Sequence, residues 1–449
     1  MIKNFRQVCR FALYQSALKT NSFQSLNKRA FCYVKHHKAF NDNEEVYTHQ
    51  LSAASQPNTI PTFRVIDLQG NVLAPQYENI PNEILNKIFD TMVQVEEIDT
   101  ILNMTQRQGK ISFYMPSFGE QATTVGVGAA LEFEDLVFPQ YREQGTIIYR
   151  GYTVRDMLNQ CIGNIHDLGK GRQMPVHYGS KALNFVTVSS PLSKFLFQSN
   201  IKYQQRINYL ATQVPQASGA GYGYRLRGEN KVAATYFGEG AASEGDWHAA
   251  LNFAATLSCQ TLFLCRNNKY AISTPIVDQY RGDGIAGKSI GYGIKTYRVD
   301  GNDALAVYHT VKEARNYIVT NKAPAFIEFM TYRIGDHSTS DHSVMYRTED
   351  EISSWKSTNN PITRLGLYLK KSGRRVFDEA KDKEVRAAIK KDIIAALKEA
   401  NEQKLPAWDS LFEDVYDQLT PNLKEQKEYL KQHLQEYGEH YNLQKFASK

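Results

Sequence analysis

A glutamate in a glycine turn, Gly238-Glu239-Gly240, and an Arg266-Asn267-Asn268 run one strand–helix–strand unit further on bring together the residue types of a magnesium–diphosphate site. Magnesium takes hard oxygen ligands in an octahedron. A carboxylate and an amide oxygen supply part of that set, and a diphosphate would supply more. The hydrophobic spacing predicts a buried strand over 232–237, a helix over 243–257 and a second strand over 261–265. Glu239 and Asn268 then lie at the carboxyl ends of parallel strands, where open α/β sheets bind ligands. Gly238 would permit a tight turn. Gly240 would let backbone N–H groups approach a phosphate at a helix N-terminus. A plain strand–turn–helix is the competing explanation, since Glu244 and Asp246 suit a helix start anyway. Gly-x-Gly alone does not separate the two; the Arg-Asn-Asn run at this spacing favours the site.

The elements that would carry these residues are legible along the chain. Positions 84–108 have helical spacing through Ile84, Ile88, Met92, Val95 and Ile98, and 120–133 read as a small-residue helix. Strand and helix signals alternate over 136–335, as in one α/β unit with a mostly parallel sheet. Asp300-Gly-Asn-Asp303 is a strand-end turn into a helix reaching about 320, and 325–331 is another buried strand. A short strand is expected at Phe63-Arg-Val-Ile66 within a polar arm. From Asp350 onward the chain reads as short charged helices broken at Pro361, Pro406 and Pro421. Gly219-Ala-Gly221-Tyr-Gly223 follows no strand, so close helix packing explains it better than a dinucleotide loop.

The 449 residues carry 53 Lys or Arg and 47 Asp or Glu, a net +6. The first 41 contain no acid and eight basic residues, the composition of a mitochondrial transit segment. Taking those eight away leaves 45 basic against 47 acidic residues, so the basic balance belongs to that segment and gives no reason to expect nucleic acid. No apolar run reaches the length of a membrane span. Cys161, Cys259 and Cys265 are widely spaced and read as reduced core residues. The organisation expected is a transit segment over 1–41, an arm and first helix over 42–100, an α/β domain over 101–349 and a helical region over 350–449.

The Gly-Glu-Gly turn with its Asn pair is similar to the thiamine-diphosphate signature, with glutamate where most members have aspartate. From about Arg107 onward the chain resembles the α subunit of the branched-chain 2-oxoacid dehydrogenase decarboxylating component. The resemblance is carried by Phe138-Pro-Gln-Tyr-Arg-Glu143, Gly171-Arg-Gln-Met-Pro-Val-His-Tyr-Gly179, Ser189-Ser-Pro-Leu192, Tyr270-Ala-Ile-Ser-Thr-Pro275, Tyr332-Arg-Ile-Gly335 and Tyr437-Gly-Glu-His-Tyr441. It implies a thiamine-diphosphate-binding α/β fold, with an extended N-terminal arm and a helical tail. Gln140, Tyr141, Arg142 and Arg266 would hold the diphosphate with Gly238 and Gly240. Ser190 and Leu192 would contact the aminopyrimidine. Glu239, Asn268 and the carbonyl of Tyr270 would ligate magnesium. Ser189, Pro191, Thr212 and Gln213 would form a potassium site. His337 would be the catalytic histidine over the cofactor ring, able to polarise the oxoacid or move a proton near neutral pH. Ser338 and Thr348 align with regulatory phosphorylation sites in a polar, mobile loop, which brings in a kinase and a phosphatase.

The resemblance also implies a β subunit completing an α2β2 assembly, a lipoyl-bearing transacylase that accepts the acyl group, and residence in the mitochondrial matrix. The alternatives are a pyruvate-specific relative or a catalytically silent scaffold. The intact Arg142, Glu239, Arg266, Asn268 and His337 speak against the scaffold. Three places depart from the family. Asp336 replaces a histidine, Thr348 replaces a serine, and residues 193–210 separate Leu192 from Ala211 where relatives run straight on. That stretch has no Gly, Pro or acid, is not built like a turn, and splits the expected potassium ligands. An unspliced intron in the gene is one explanation; a tolerated surface loop is the other.

Overall fold

Predominantly apolar runs at 136–138, 233–238, 261–267 and 325–330, with a more polar edge strand at 295–300, build the sheet that carries the site. A computed structural model describes residues 59–187 and 211–448. The strands in chain order are β1 (Leu136–Phe138), β2 (Ala233–Gly238), β3 (Thr261–Asn267), β4 (Tyr270–Ala271), β5 (Thr274–Pro275), β6 (Lys295–Asp300) and β7 (Ala325–Met330). Five of them form one parallel sheet in the order β1-β2-β3-β7-β6, while β4 and β5 make a small hairpin. Every residue of β3 is buried, the signature of a strand covered on both faces. Because the sheet is parallel, the loops after β1, β2, β3 and β7 all open at the same edge.

Helices cover both faces. They are α1 (Asn82–Arg107), α2 (Gln121–Ala130), α3 (Gln144–Tyr149), α4 (Val154–Ile162), α5 (Gln213–Arg227), α6 (Gly245–Thr256) and α7 (Ala304–Asn321). Leu85, Ile88, Met92, Val95, Ile98 and Leu102 of α1 are buried at helical spacing. Each such side chain contributes about 1.5–3 kcal/mol on leaving water. The small residues of α2 let it pack tightly: a Cβ on Gly126 would stand 2.7 Å from Val307 of α7. Gly221 of α5 is equally confined, since a Cβ there would lie 2.3 Å from Thr261, so the glycine-rich run serves helix–strand packing. Cys161, Cys259 and Cys265 are free and buried. No helix among the described residues is long and apolar enough to cross a membrane.

Two expectations are corrected. Phe63-Arg-Val-Ile66 forms isolated bridges, Phe63 to Val299 and Ile66 to Val72, and no strand. The amides of Val65 and Ile66 donate instead to the Asp303 carboxylate, at 2.7 and 2.8 Å, while its other oxygen caps α7. The C-terminal region is α8 (Glu349–Thr358), α9 (Pro361–Lys371), α10 (Glu379–Glu402) and α11 (Pro421–Tyr437). Pro361 and Pro421 do begin helices, behind the caps Asn360 and Thr420. α10 is no short surface helix, however. Its 24 residues lie against α1 and α4, with Ile393, Ala396 and Ala400 in the core.

Candidate active site

The loop leaving β1 is set by one buried carboxylate. Glu143 Oε2 accepts from the backbone amides of Gln140 and Tyr141, both at 2.8 Å. That turn projects Tyr141 and Arg142. Arg142 is buried; its Nε donates to the Pro116 carbonyl at 3.1 Å and its Nη2 to the His337 carbonyl. The Tyr141 hydroxyl and His337 Nε2 are 3.5 Å apart, so the loops after β1 and β7 meet.

β2 ends at Gly238 and places Glu239 in the interior, 2% exposed. Its oxygens receive long hydrogen bonds from the Asn268 amide at 3.3 Å and from Gln279 Nε2 at 3.5 Å. No Lys, Arg or His pairs with it among the described residues. Burial therefore raises its pKa to about 6. Asn268 follows β3 and donates Nδ2 to Glu120 Oε1 at 3.0 Å. Its Oδ1 accepts from the Tyr270 amide at 3.3 Å. Asn267 turns away and anchors the strand, donating to Glu328 and to the Tyr280 hydroxyl. Left-handed backbone at Lys269 and Ile272, φ 74° and 56°, curls the chain through the hairpin. The Tyr270 carbonyl accepts from Arg333 Nη1 at 3.2 Å, with one lone pair to spare.

These donors fit magnesium with a diphosphate. They are hard oxygens, and a buried carboxylate lacking a counter-cation is relieved by one. The protein alone does not complete the coordination: among the described residues no three His, Cys, Asp or Glu side chains cluster as a metal site. The glycine argument is corrected. Neither Gly238 nor Gly240 has positive φ. Gly240 is required by space, because a Cβ would stand 2.6 Å from that of Ala271. At Gly238 a Cβ would make only ordinary contacts, 3.7 Å to Gln140 and 3.8 Å to the Arg266 carbonyl.

Positive charge is distributed differently from the expectation. Arg266 lies between two buried carboxylates, with Nη1 2.5 Å from Glu120 and Nη2 2.8 Å from Glu143. Its charge is already balanced, which corrects the picture of a guanidinium free to offset a diphosphate; its buried Nε has no acceptor among the described residues. Burial works against ionised Glu120, yet Arg266 and Arg142 hold its pKa below the usual carboxylate value. Arg142 and Arg333, by contrast, bond to carbonyls and, for Arg333, the Tyr346 hydroxyl. Neither makes an ion pair among the described residues. His337 sits beside both. Burial and the two guanidinium charges push its pKa down to about 3. The imidazole is neutral at physiological pH, which corrects the expectation of a histidine titrating near neutrality.

The loop after β7 is pinned rather than loose. Arg347 donates to the carbonyls of Arg333, Ile334 and Gly335. Asp341 accepts from the His337 amide at 2.7 Å and from the Tyr346 hydroxyl at 2.5 Å. Asp336 accepts from Ser343 and faces Arg107 at 3.4 Å, so its charge is partly engaged. Ser338, expected in a polar, mobile loop, is 7% exposed within it. Thr348 caps α8 through the Glu351 amide. Thr212 and Gln213 open α5; Gln213 donates to the Tyr236 carbonyl, and Thr212 Oγ1 is buried with no partner among the described residues. Ser189, Ser190, Pro191, Leu192 and the stretch 193–210 lie outside the described residues.

Glu120, Asp341 and Arg347 carry no motif, Glu143 only closes the Phe138–Glu143 run, and none of the four was among the expected site residues. The one sequence signal for Glu120 is an acid opening a helix that then has no charged residue along its length.

The Dehydrogenase E1 component family matches residues 89–408. The chain is 47% identical over 421 residues to "2-oxoisovalerate dehydrogenase subunit alpha, mitochondrial" of Dictyostelium discoideum, covering 93% of this chain and 90% of that protein. It is 49% identical to the Homo sapiens protein of the same name over 395 residues, 87% and 84% of the two chains. The Caenorhabditis elegans protein of that name is 45% identical over 440 residues, 97% and 96% of the two chains. With the carboxyl-edge site built as above, the chain belongs to the Dehydrogenase E1 component family.

Proposed function

We propose that this chain is the α subunit of a mitochondrial branched-chain 2-oxoacid dehydrogenase. With thiamine diphosphate and magnesium it would decarboxylate the 2-oxoacids derived from Val, Leu and Ile and pass the acyl group to a lipoyl group. The observation that carries the reading is the convergence of Glu239, Asn268 and the Tyr270 carbonyl beside Arg142, Arg333 and neutral His337. Oxygen ligands on one side and unpaired guanidinium groups on the other suit a metal–diphosphate and an anionic oxoacid.

When bound, thiamine diphosphate supplies the nucleophilic ring carbon and the electron sink for loss of carbon dioxide. The rest belongs to this chain. Glu239 and Asn268 Oδ1 would ligate magnesium, with Tyr270 through its carbonyl. Tyr141, Arg142 and the Arg266 Nε–H, with Gln140, would hold the diphosphate. Arg142 and Arg333 draw the substrate carboxylate by charge. His337, kept neutral, can donate a hydrogen bond from Nε2–H to the substrate keto oxygen in the tautomer protonated there, with the Tyr141 hydroxyl beside it. Ser190 and Leu192 would face the aminopyrimidine. Ser189, Pro191, Thr212 and Gln213 would hold potassium, and the Thr212 hydroxyl, buried without a partner among the described residues, supports an oxygen-seeking cation there. A β subunit would complete the site in an α2β2 assembly. A lipoyl transacylase would accept the product, and a kinase and phosphatase would act at Ser338 and Thr348.

The test is co-expression with the β subunit and measurement of carbon dioxide release from 3-methyl-2-oxobutanoate and from pyruvate, with and without thiamine diphosphate and magnesium. Cofactor-dependent turnover preferring the branched substrate is expected. A preference for pyruvate, or turnover indifferent to the cofactor, would refute the reading.

A further inference from the structure

Glu120 is completely buried and accepts two hydrogen bonds from the carboxyl end of β3. Oε2 takes Arg266 Nη1 at 2.5 Å, and Oε1 takes Asn268 Nδ2 at 3.0 Å. Arg266 belongs to β3 and is held a second time by Glu143 at 2.8 Å. Among the described residues the Asn268 side chain has no second anchor of that strength. Its Oδ1 contact to the Tyr270 amide is 3.3 Å and lies within the same turn.

An asparagine amide presents an acceptor on one side and two donors on the other. A carboxylate beside an arginine can only accept, so it requires Nδ2 to face it. Oδ1 is thereby directed to the opposite side, away from Glu120, while the Asn268 backbone amide donates to Glu239 Oε2 at 3.3 Å and so brings that carboxylate against the same residue. We infer that Glu120 is a positioning residue that fixes the rotamer of the Asn268 amide, so that an oxygen rather than an NH2 group faces the cation. The inference rests on the magnesium reading above and adds a residue to it. Reversed, the amide would aim two N–H groups at a divalent ion beside the only acidic ligand.

The chemistry permits a polarity exchange. In Glu120→Gln the new carbonyl oxygen stays with Arg266, the charged donor, and the new NH2 turns to position 268. Asn268 must then rotate and present Nδ2 to the metal. In Glu120→Gln with Asn268→Asp, the NH2 at 120 donates to one aspartate oxygen and leaves the other for the metal. This double variant keeps the parental net charge. Asn268→Asp alone sets two carboxylates against each other.

Calorimetric titration of thiamine diphosphate and magnesium into the chain assembled with its β subunit reads the effect without turnover. Glu120→Gln is expected to weaken binding at least about tenfold, or roughly 1.4 kcal/mol. Asn268→Asp alone is expected to weaken it too, and the double variant to return within about threefold of the parent. A merely structural glutamate gives additive losses, so the non-additivity is the diagnostic. Parental affinity in Glu120→Gln, or additive losses in the double variant, overturns the inference. If Glu120→Gln does not fold, the charge-conserving double variant still decides: folded with near-parental binding it supports the inference, and folded but unable to bind it ends it. A parent that binds no cofactor would sink the magnesium reading itself, a separate outcome.

Discussion

The hydroxyl of Tyr141 and Nε2 of His337 lie 3.5 Å apart, linking the loop that leaves β1 to the loop that leaves β7. Both loops are also joined by Arg142, which donates to the His337 carbonyl. The histidine is thus held from two directions in a partly buried place beside Arg142, Arg333 and Asp341.

That placement has a pH consequence. His337 has its folded pKa near 3, below the unfolded value of about 6.5. Its neutral form is the one the fold accepts. Its contribution to stability is whole above about pH 6.5 and is lost as pH falls toward 3. At pH 5 the loss is roughly 2 kcal/mol. In thermal melts, His337→Gln is expected to be less acid-sensitive than the parent between pH 6.5 and 4.5. Parallel pH curves for the two proteins would contradict the placement of His337. Bound diphosphate is expected to raise the histidine pKa, which an NMR titration would follow.

Ser338 is buried, and its hydroxyl accepts from the Ser340 amide at 3.3 Å. A phosphate or a glutamate there does not fit without moving the loop that Arg347 and Asp341 hold. Ser338→Glu is expected to cut oxoacid turnover at least about tenfold, roughly 1.4 kcal/mol. It should also speed limited proteolysis within 335–346 while subunit assembly stays intact. Parental kinetics with parental protease resistance would discard the regulatory reading of Ser338.

What was legible followed from local pattern. The strands at 233–238 and 261–267 and the helix between them are runs whose hydrophobicity and glycine punctuation agree. They place Glu239 and Asn268 at one edge of the sheet. The strand expected at Phe63-Arg-Val-Ile66 failed because its amides found a carboxylate, Asp303, more than two hundred residues away in sequence. Glu120 was invisible as a site residue, and the role of Glu143 within its motif was hidden, for a related reason. Their role is to balance Arg266, and the Glu120 pair spans 146 residues. A charge balanced at that distance leaves no spacing to read. The neutral state of His337 is likewise a product of burial beside Arg142 and Arg333, which sequence does not show.

Glu239 gives a prediction with two signs. Burial raises its pKa from 4.5 to about 6, so without a cation the ionised form costs stability above pH 6, and that cost is relieved as pH falls toward 4.5. Glu239→Gln is expected to stabilise the cofactor-free protein at pH 8 by about 2 kcal/mol. The same change should abolish the stabilisation that magnesium with thiamine diphosphate confers. Differential scanning calorimetry with and without the pair reads both. A variant as stable as the parent without cofactor, and still stabilised by it, would remove Glu239 from the metal site.

The last prediction concerns Thr212 and the stretch before it. Thr212 Oγ1 is buried without a hydrogen-bond partner among the described residues, at the start of α5, where the resemblance calls for a potassium ligand. A buried hydroxyl left unpaired costs about 1–3 kcal/mol, which a bound cation would recover. Residues 193–210 separate Thr212 and Gln213 from Ser189 and Pro191. Closing a loop of that length costs on the order of 1–3 kcal/mol, small enough for the fold to survive. Cation geometry is the more sensitive quantity, because ligands tied within a few residues hold their spacing better. Deleting 193–210 is expected to tighten thiamine diphosphate binding in potassium buffer at least about tenfold, roughly 1.4 kcal/mol. Sodium buffer should give a smaller gain, and Thr212→Val should remove the difference between the two salts. Peptide mass spectrometry of the native mitochondrial protein decides whether the stretch is translated. Abundant peptides spanning positions 195–206 in active enzyme, with equal cofactor affinity before and after the deletion, would show that the site tolerates the insertion.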